Sequence, residues 1–216
     1  WDGFNVLHTA AARVAGLDLD LLPGEGGRDV AAILDGAQSG EIETVVLYGA
    51  DEIAGAALGD AFVIYIGSHG DRGAHRADVI LPSAAYTEKQ AIYVNTEGRP
   101  QMAERAAFPP GEAREDWKIF RALSEHLDAK LDFDTVEALR VKMFEVAPHL
   151  SQLDQIAPAG TPQAPEAGKA EASVFASPVE DFYFTNPIAR ASATMADCAK
   201  AKQERAPKAE GTGTHG

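Results

Sequence analysis

His69, Asp71 and His75 fall close enough together to bring two imidazoles and a carboxylate to one metal ion. Their spacing matches no helix-based ligand pair, and Arg72 and Arg76 are interleaved with them and oppose a cation, so the expectation is a solvated, hydrogen-bonded loop. Glu88 and Glu97 are a conceivable acid/base carboxylate pair. Thr87 with Gln90 suits the cap of a short helical turn, however, and Arg99 stands ready to neutralise Glu97, so structural pairing is expected of both acids. Cys198 lies in an alanine-rich helical stretch with no histidine at an activating spacing, which makes it a packed thiol. No serine occupies a nucleophile elbow. The glycine-rich loops Gly24-Glu25-Gly26-Gly27 and Gly67-Ser68-His69-Gly70-Asp71-Arg72-Gly73 fit neither the dinucleotide fingerprint nor a phosphate-binding loop. The second loop follows a strand, where open α/β sheets take ligands, and its glycines are expected to supply positive φ. No residue is therefore assigned a catalytic, cofactor-binding or metal-binding role.

The elements that would position these groups follow from periodicity. Val6, Ala10, Val14 and Leu17 are at helical spacing, so a helix is expected over 5–17, and Asp29 can cap a second to about Ala37. Thr44 to Tyr48, Phe62 to Ile66 and Asp78 to Leu81 are unbroken apolar runs, the pattern of parallel strands buried on both faces. Asp51 is placed to cap a short helix, Glu52 to Leu58, that completes a βαβ unit. Ala91 to Gln101 alternates around Glu97-Gly98-Arg99-Pro100 and reads as strand, turn and return packed on the sheet edge.

An amphipathic helix is expected from Glu112 to Ala129 with Trp117, Phe120, Leu123 and Leu127 inward. Asp134 and Glu137 form a capping box for the next, which turns Val136, Leu139, Met143 and Val146 inward up to Pro148. The two are expected to form a hairpin. Four stretches result: a domain over 1–156, a flexible linker over 157–172, a docking segment over 173–203 with a helix capped by Asn186 and Pro187, and a disordered tail over 204–216.

Composition excludes whole classes of function. Nineteen Lys and Arg against 33 Asp and Glu leave a net charge of −14, which repels phosphate backbones and anionic lipid, so no nucleic-acid partner and no membrane insertion are expected. The charge is unevenly placed, with 11 acids and only 2 bases in residues 1–60. One cysteine forms neither an internal disulfide nor a thiolate-held iron–sulfur cluster. Trp1-Asp2-Gly3 is not an initiator start, and the chain reads as a piece of something longer.

Ala77-Asp78-Val79-Ile80-Leu81-Pro82, continued by Ala85-Tyr86-Thr87-Glu88-Lys89 and by Tyr93-Val94-Asn95-Thr96-Glu97-Gly98-Arg99-Pro100-Gln101, resembles a signature of the molybdopterin oxidoreductase superfamily. Pro109-Pro110-Gly111 with Ala113-Arg114-Glu115-Asp116-Trp117-Lys118-Ile119, and Asp181-Phe182-Tyr183-Phe184-Thr185 with Ile188-Ala189-Arg190-Ala191-Ser192, are similar to the large iron–sulfur subunits of respiratory complex I, NADH:quinone oxidoreductase. The resemblance covers about residues 1–200. It implies an α/β fold: part of a molybdopterin-oxidoreductase-like domain with parallel strands, a strand-turn edge element and a C-terminal helical region. It implies a non-catalytic scaffold portion of such a subunit, or else the C-terminal pterin-binding portion of a molybdopterin enzyme such as a formate dehydrogenase. A stand-alone interaction module is a third reading. In the complex I family the iron–sulfur clusters lie N-terminal to such a stretch, so no cofactor is expected within this one.

The resemblance further implies flavin-bearing, small iron–sulfur and quinone-module subunits as partners. The implied location is the cytoplasmic face of a bacterial inner membrane or the matrix side of a mitochondrial one. The Gly67–Gly73 loop and the Asn95–Arg99 turn would then sit where the enzymes hold their cofactor, with side chains or salt bridges such as Glu97 with Arg99 filling the space.

Overall fold

The computed structural model describes residues 6–8, 10–156, 168, 179 and 181–205. Most of the expected linker over 157–172, the start of the docking segment and the tail beyond Arg205 lie outside the described residues.

Three parallel strands, β1 (Thr44–Tyr48), β2 (Phe62–Gly67) and β3 (Val79–Pro82), form a sheet in the order β1-β2-β3, within a residue of the expected bounds. Val46 pairs with Ile64, and Ile64 with Val79. α1 (Arg13–Asp18) and α2 (Val30–Ser39) precede the sheet, and α3 (Arg72–Arg76) links β2 to β3. Asp29 caps α2 as expected, its carboxylate accepting from the Ala32 N–H at 2.8 Å, and Gly40 ends that helix at φ 78°, where a side chain would be strained. α1 falls short of the expected span, starting only at Arg13.

The strands are not buried on both faces. Val45, Leu47, Val63 and Tyr65 pack with Ala37, Leu58 and Ala61, beneath α2, α3 and the 3-10 turn Gly55–Leu58. Each large apolar side chain so buried is worth roughly 1.5–3 kcal/mol. On the opposite face Val46 and Phe62 remain 44% and 47% exposed. The described residues cover that face at its carboxyl end, where Phe120 meets Tyr48 edge-on at 5.2 Å. Apolar runs without alternation made both faces equally fit for burial; which face is covered depended on where the helices pack.

The hairpin β4 (Ala91–Val94) and β5 (Pro100–Ala103) forms as expected but is a separate antiparallel pair rather than an addition to the sheet edge. Beyond β3 the next backbone is that of Arg114, whose N–H donates to the Pro82 carbonyl and whose carbonyl accepts from the Ala84 N–H. Val94 instead anchors a second cluster with Ala147 and Leu150, flanked by Val14, Leu19, Met143 and Phe144. Asn95 Oδ1 closes the turn by accepting from the Glu97 and Arg99 N–H groups.

α4 (Asp116–His126) and α5 (Val136–Val146) are shorter than expected, and Leu127 and Val146, assigned inward, are 66% and 68% exposed. Thr135 caps α5 through its hydroxyl and the Ala138 N–H, while Asp134 pairs with Arg121 and makes no capping box. The C-terminal helix is broken in two, α6 (Pro187–Arg190) and α7 (Ala193–Arg205), with Asn186 capping the first through the Ala189 N–H at 2.9 Å.

Candidate functional site

The carboxyl ends of β1 and β2, where an open parallel sheet takes its ligands, hold a compact polar cluster. Asp51, three residues past β1, is 1% exposed. It caps no helix: the expected Glu52–Leu58 helix is reduced to the 3-10 turn Gly55–Leu58, and the Asp51 carboxylate turns inward to accept from the Tyr65 hydroxyl at 3.1 Å. That phenol oxygen also lies 2.8 Å from the His69 carbonyl. Burial pushes the Asp51 carboxyl up, and Asp71 nearby adds to this, while Tyr65, the Gly73 backbone and Arg190 pull the other way. Burial likewise drives the Tyr65 phenol upward, with the Asp51 charge second.

The glycines of this loop serve close packing rather than positive φ. A Cβ at Gly67 would overlap the Tyr65 phenol, and one at Gly73 would come within 2.9 Å of both the Tyr65 ring and the Ala50 carbonyl. Neither glycine has positive φ, contrary to expectation. They leave room for the aromatic ring.

Into this crevice reaches Arg190, 119 residues from Asp71 in sequence. Its Nε pairs with the Asp71 carboxylate, its Nη2 lies 3.6 Å from Glu52, and its Nη1 donates to the Phe184 carbonyl at 3.4 Å. The guanidinium hydrogen bond holds Asp71 below the ordinary carboxylate range against the opposing effect of burial, helped by the Arg72 N–H and charge. Asp51 Oδ1 and Arg190 Nη2 are buried without a direct hydrogen-bond partner among the described residues.

The other sequence candidates do not converge. Among the described residues no group of three or more His, Cys, Asp or Glu is arranged to hold a metal ion: Asp71 is engaged by Arg190, His69 Nδ1 lies 3.0 Å from Ser68 Oγ, and His75 is exposed on α3. Glu88 Oε2 accepts from the Ala85 N–H, and Glu97 lies 3.5 Å from Arg99 in the hairpin turn, so the two acids have separate partners. Cys198 is a partly buried free thiol. Two cavities lie elsewhere. One, of 370 Å³, is lined by Arg105 and Lys118, both already paired with Glu115, and an apolar one of 550 Å³ lies between β3 and α4.

Asp51, Tyr65 and Arg190 were missed as a group by sequence reasoning. Tyr65 in the middle of a buried run was a signal, because a buried phenol needs a partner. Nothing local pointed to Arg190.

The parallel sheet is followed by a loop crevice, and the Ala77–Pro82 run is placed so that Asp78 accepts from the Val63 N–H at 2.7 Å. The model of the molybdopterin oxidoreductase family matches residues 1–126, and the chain belongs to that family. Residues 148–198 match a second model, that of the C-terminal region of an NADH-ubiquinone oxidoreductase subunit. The chain is 45% identical over 210 residues to the mitochondrial NADH-ubiquinone oxidoreductase 78 kDa subunit of Candida albicans, covering 92% of this chain. It is 43% identical over 219 residues to the 78 kDa subunit of Neurospora crassa, covering 96% of this chain. Over 203 residues it is 44% identical to the 75 kDa subunit of Reclinomonas americana, again covering 92%. It corresponds to the C-terminal portion of these subunits and spans 28% of the length of each. No helix among the described residues is long and apolar enough to cross a membrane.

The group for which the family is named carries a phosphate, and the residues present do not fit one at the strand ends. An anion there would face Asp51, Asp71 and Glu52, and the guanidinium that reaches the crevice is already bound to Asp71.

Proposed function

We propose that this chain is a non-catalytic scaffold portion of the large iron–sulfur subunit of a proton-pumping NADH:quinone oxidoreductase, the whole of which passes electrons from NADH to quinone. The observation that carries the non-catalytic reading is the crevice itself, lined by carboxylates and filled by Arg190. The identities of 43–45% over more than nine-tenths of the chain support the assignment to complex I. A single thiol, Cys198, supports placing the iron–sulfur clusters elsewhere in the subunit. In this reading the domain holds neighbouring subunits at fixed distances and keeps water from the electron path. Its partners are the flavin-bearing, small iron–sulfur and quinone-module subunits, on the matrix side of the mitochondrial inner membrane or the cytoplasmic side of a bacterial one.

Elemental analysis with pterin extraction on the purified full-length subunit tests this. Iron without molybdenum, tungsten or pterin is the expected result. Stoichiometric molybdenum or tungsten with bound pterin would overturn it and select a molybdopterin enzyme of the formate dehydrogenase kind.

A further inference from the structure

We propose that the acidic crevice at the strand ends is a guanidinium site, which the chain fills with its own Arg190 so that residues 181–205 are clasped to the sheet.

Three features converge on this. The crevice is built from the sheet and its loops: Asp51 comes from the loop after β1, Tyr65 from β2, and Asp71 from the turn into α3, while Gly67 and Gly73 let the Tyr65 ring close between them. Its charge is that of two carboxylates with a third, Glu52, at the rim, and Asp51 Oδ1 lies buried with no donor among the described residues. Such a site prefers a planar cation with several N–H groups over a point charge, because the fork can face more than one carboxylate at once.

The arm that delivers the guanidinium is equally prepared. Asp181 closes a turn by accepting from the Tyr183 N–H at 2.9 Å, and Asn186 with Pro187 starts the single turn of α6 that ends on Arg190. The Phe184 carbonyl then accepts from Arg190 Nη1, which locks the arm's own backbone to the side chain it presents. The clasp joins the stretch matched by the C-terminal NADH-ubiquinone oxidoreductase model to the sheet matched by the molybdopterin oxidoreductase model. The site therefore takes a ligand of guanidinium type supplied in cis.

The proposal deepens the scaffold reading but is tested without reference to metal or pterin content, so either can fail alone. Amide hydrogen exchange is followed in the assembled protein with Arg190→Ala, Arg190→Lys and, as a control on exposed α7, Lys200→Gln. Arg190→Ala is expected to speed exchange about tenfold across 184–196 and also in the 69–73 loop, Arg190→Lys less, and Lys200→Gln not at all. Millimolar methylguanidinium added to Arg190→Ala should slow exchange again in 69–73, while 184–196 stays fast because the small cation refills the crevice without the tether. Inorganic phosphate should do neither.

Unchanged protection of 184–196 in Arg190→Ala overturns the clasp. Failure of methylguanidinium to protect the loop, or protection by phosphate, overturns the guanidinium site. If Arg190→Ala prevents assembly, Asp71→Asn is measured in its place. It must loosen 184–196 from a position 119 residues away, and undisturbed exchange there refutes the proposal equally.

Discussion

The hydroxyl of Tyr65 is the support on which the buried Asp51 depends, and Tyr65→Phe isolates it. The ring stays and only the oxygen is lost, so packing against Gly67 and Gly73 is not emptied. What changes is Asp51, without a partner on Oδ1 among the described residues, which loses its bond on Oδ2 as the His69 carbonyl loses the hydroxyl beside it, and keeps the Gly73 backbone and the Arg190 charge. Removing the donor from a buried charged acceptor costs ~2 kcal/mol, within a range of about 1–3. In an Asp51→Asn background the acceptor is neutral and the same change should cost ~1 kcal/mol, giving a coupling of about 1 kcal/mol. Asp51→Asn alone should be close to neutral, because the amide still accepts from Tyr65 and the buried charge is gone.

The pH dependence has a fixed sign. A carboxyl raised in the folded state binds protons more readily there than in the unfolded chain, so stability falls as pH climbs from the unfolded value near ~3.9 through the folded one. Tyr65→Phe should extend that fall to higher pH, and Asp51→Asn should abolish it. Urea unfolding of the four proteins of the cycle at several pH values provides the assay. Additivity within about 0.5 kcal/mol, or an unchanged pH slope in Tyr65→Phe, would refute the reasoning.

Gly73→Ala should destabilise the chain by about 1–3 kcal/mol, since its Cβ would press on the Ala50 carbonyl and the Tyr65 ring. Gly70→Ala, whose Cβ would meet nothing closer than the Ala74 methyl at 3.6 Å, should stay within about 0.5 kcal/mol, and thermal unfolding of the two compares them directly. Asp71 titrates in the sense opposite to Asp51: its carboxyl is depressed by Arg190, so its contribution is complete above the unfolded value near ~3.9 and is lost as pH falls through the folded one. Hydrogen exchange of 184–196 should therefore quicken, relative to the intrinsic rate, as pH falls below the unfolded value near ~3.9, and a flat protection profile there would count against the Asp71 contact.

Several elements were legible because their causes are local. Asp29 and Asn186 each accept from the N–H three residues on, so a polar residue before a helical pattern sufficed to place both caps. Branched apolar runs of the right length identified β1, β2 and β3, and their connection through a helical segment made them parallel. Where two residues competed for one role, the local pattern failed. Asp134 and Thr135 both suit the start of α5, and Arg121, reaching across from α4, drew Asp134 away and left the cap to Thr135.

Composition and motif by themselves determined the α/β class, the parallel strands, the family and the shortage of thiolates, since each rests on residue identity or on spacing along one element. Which sheet face is covered, why Gly67 and Gly73 are glycines, and where Arg190 binds were decided only by the tertiary structure. Those outcomes depend on distances between segments far apart in the chain, where a ring, a carboxylate and a guanidinium meet in a space that no single segment encloses.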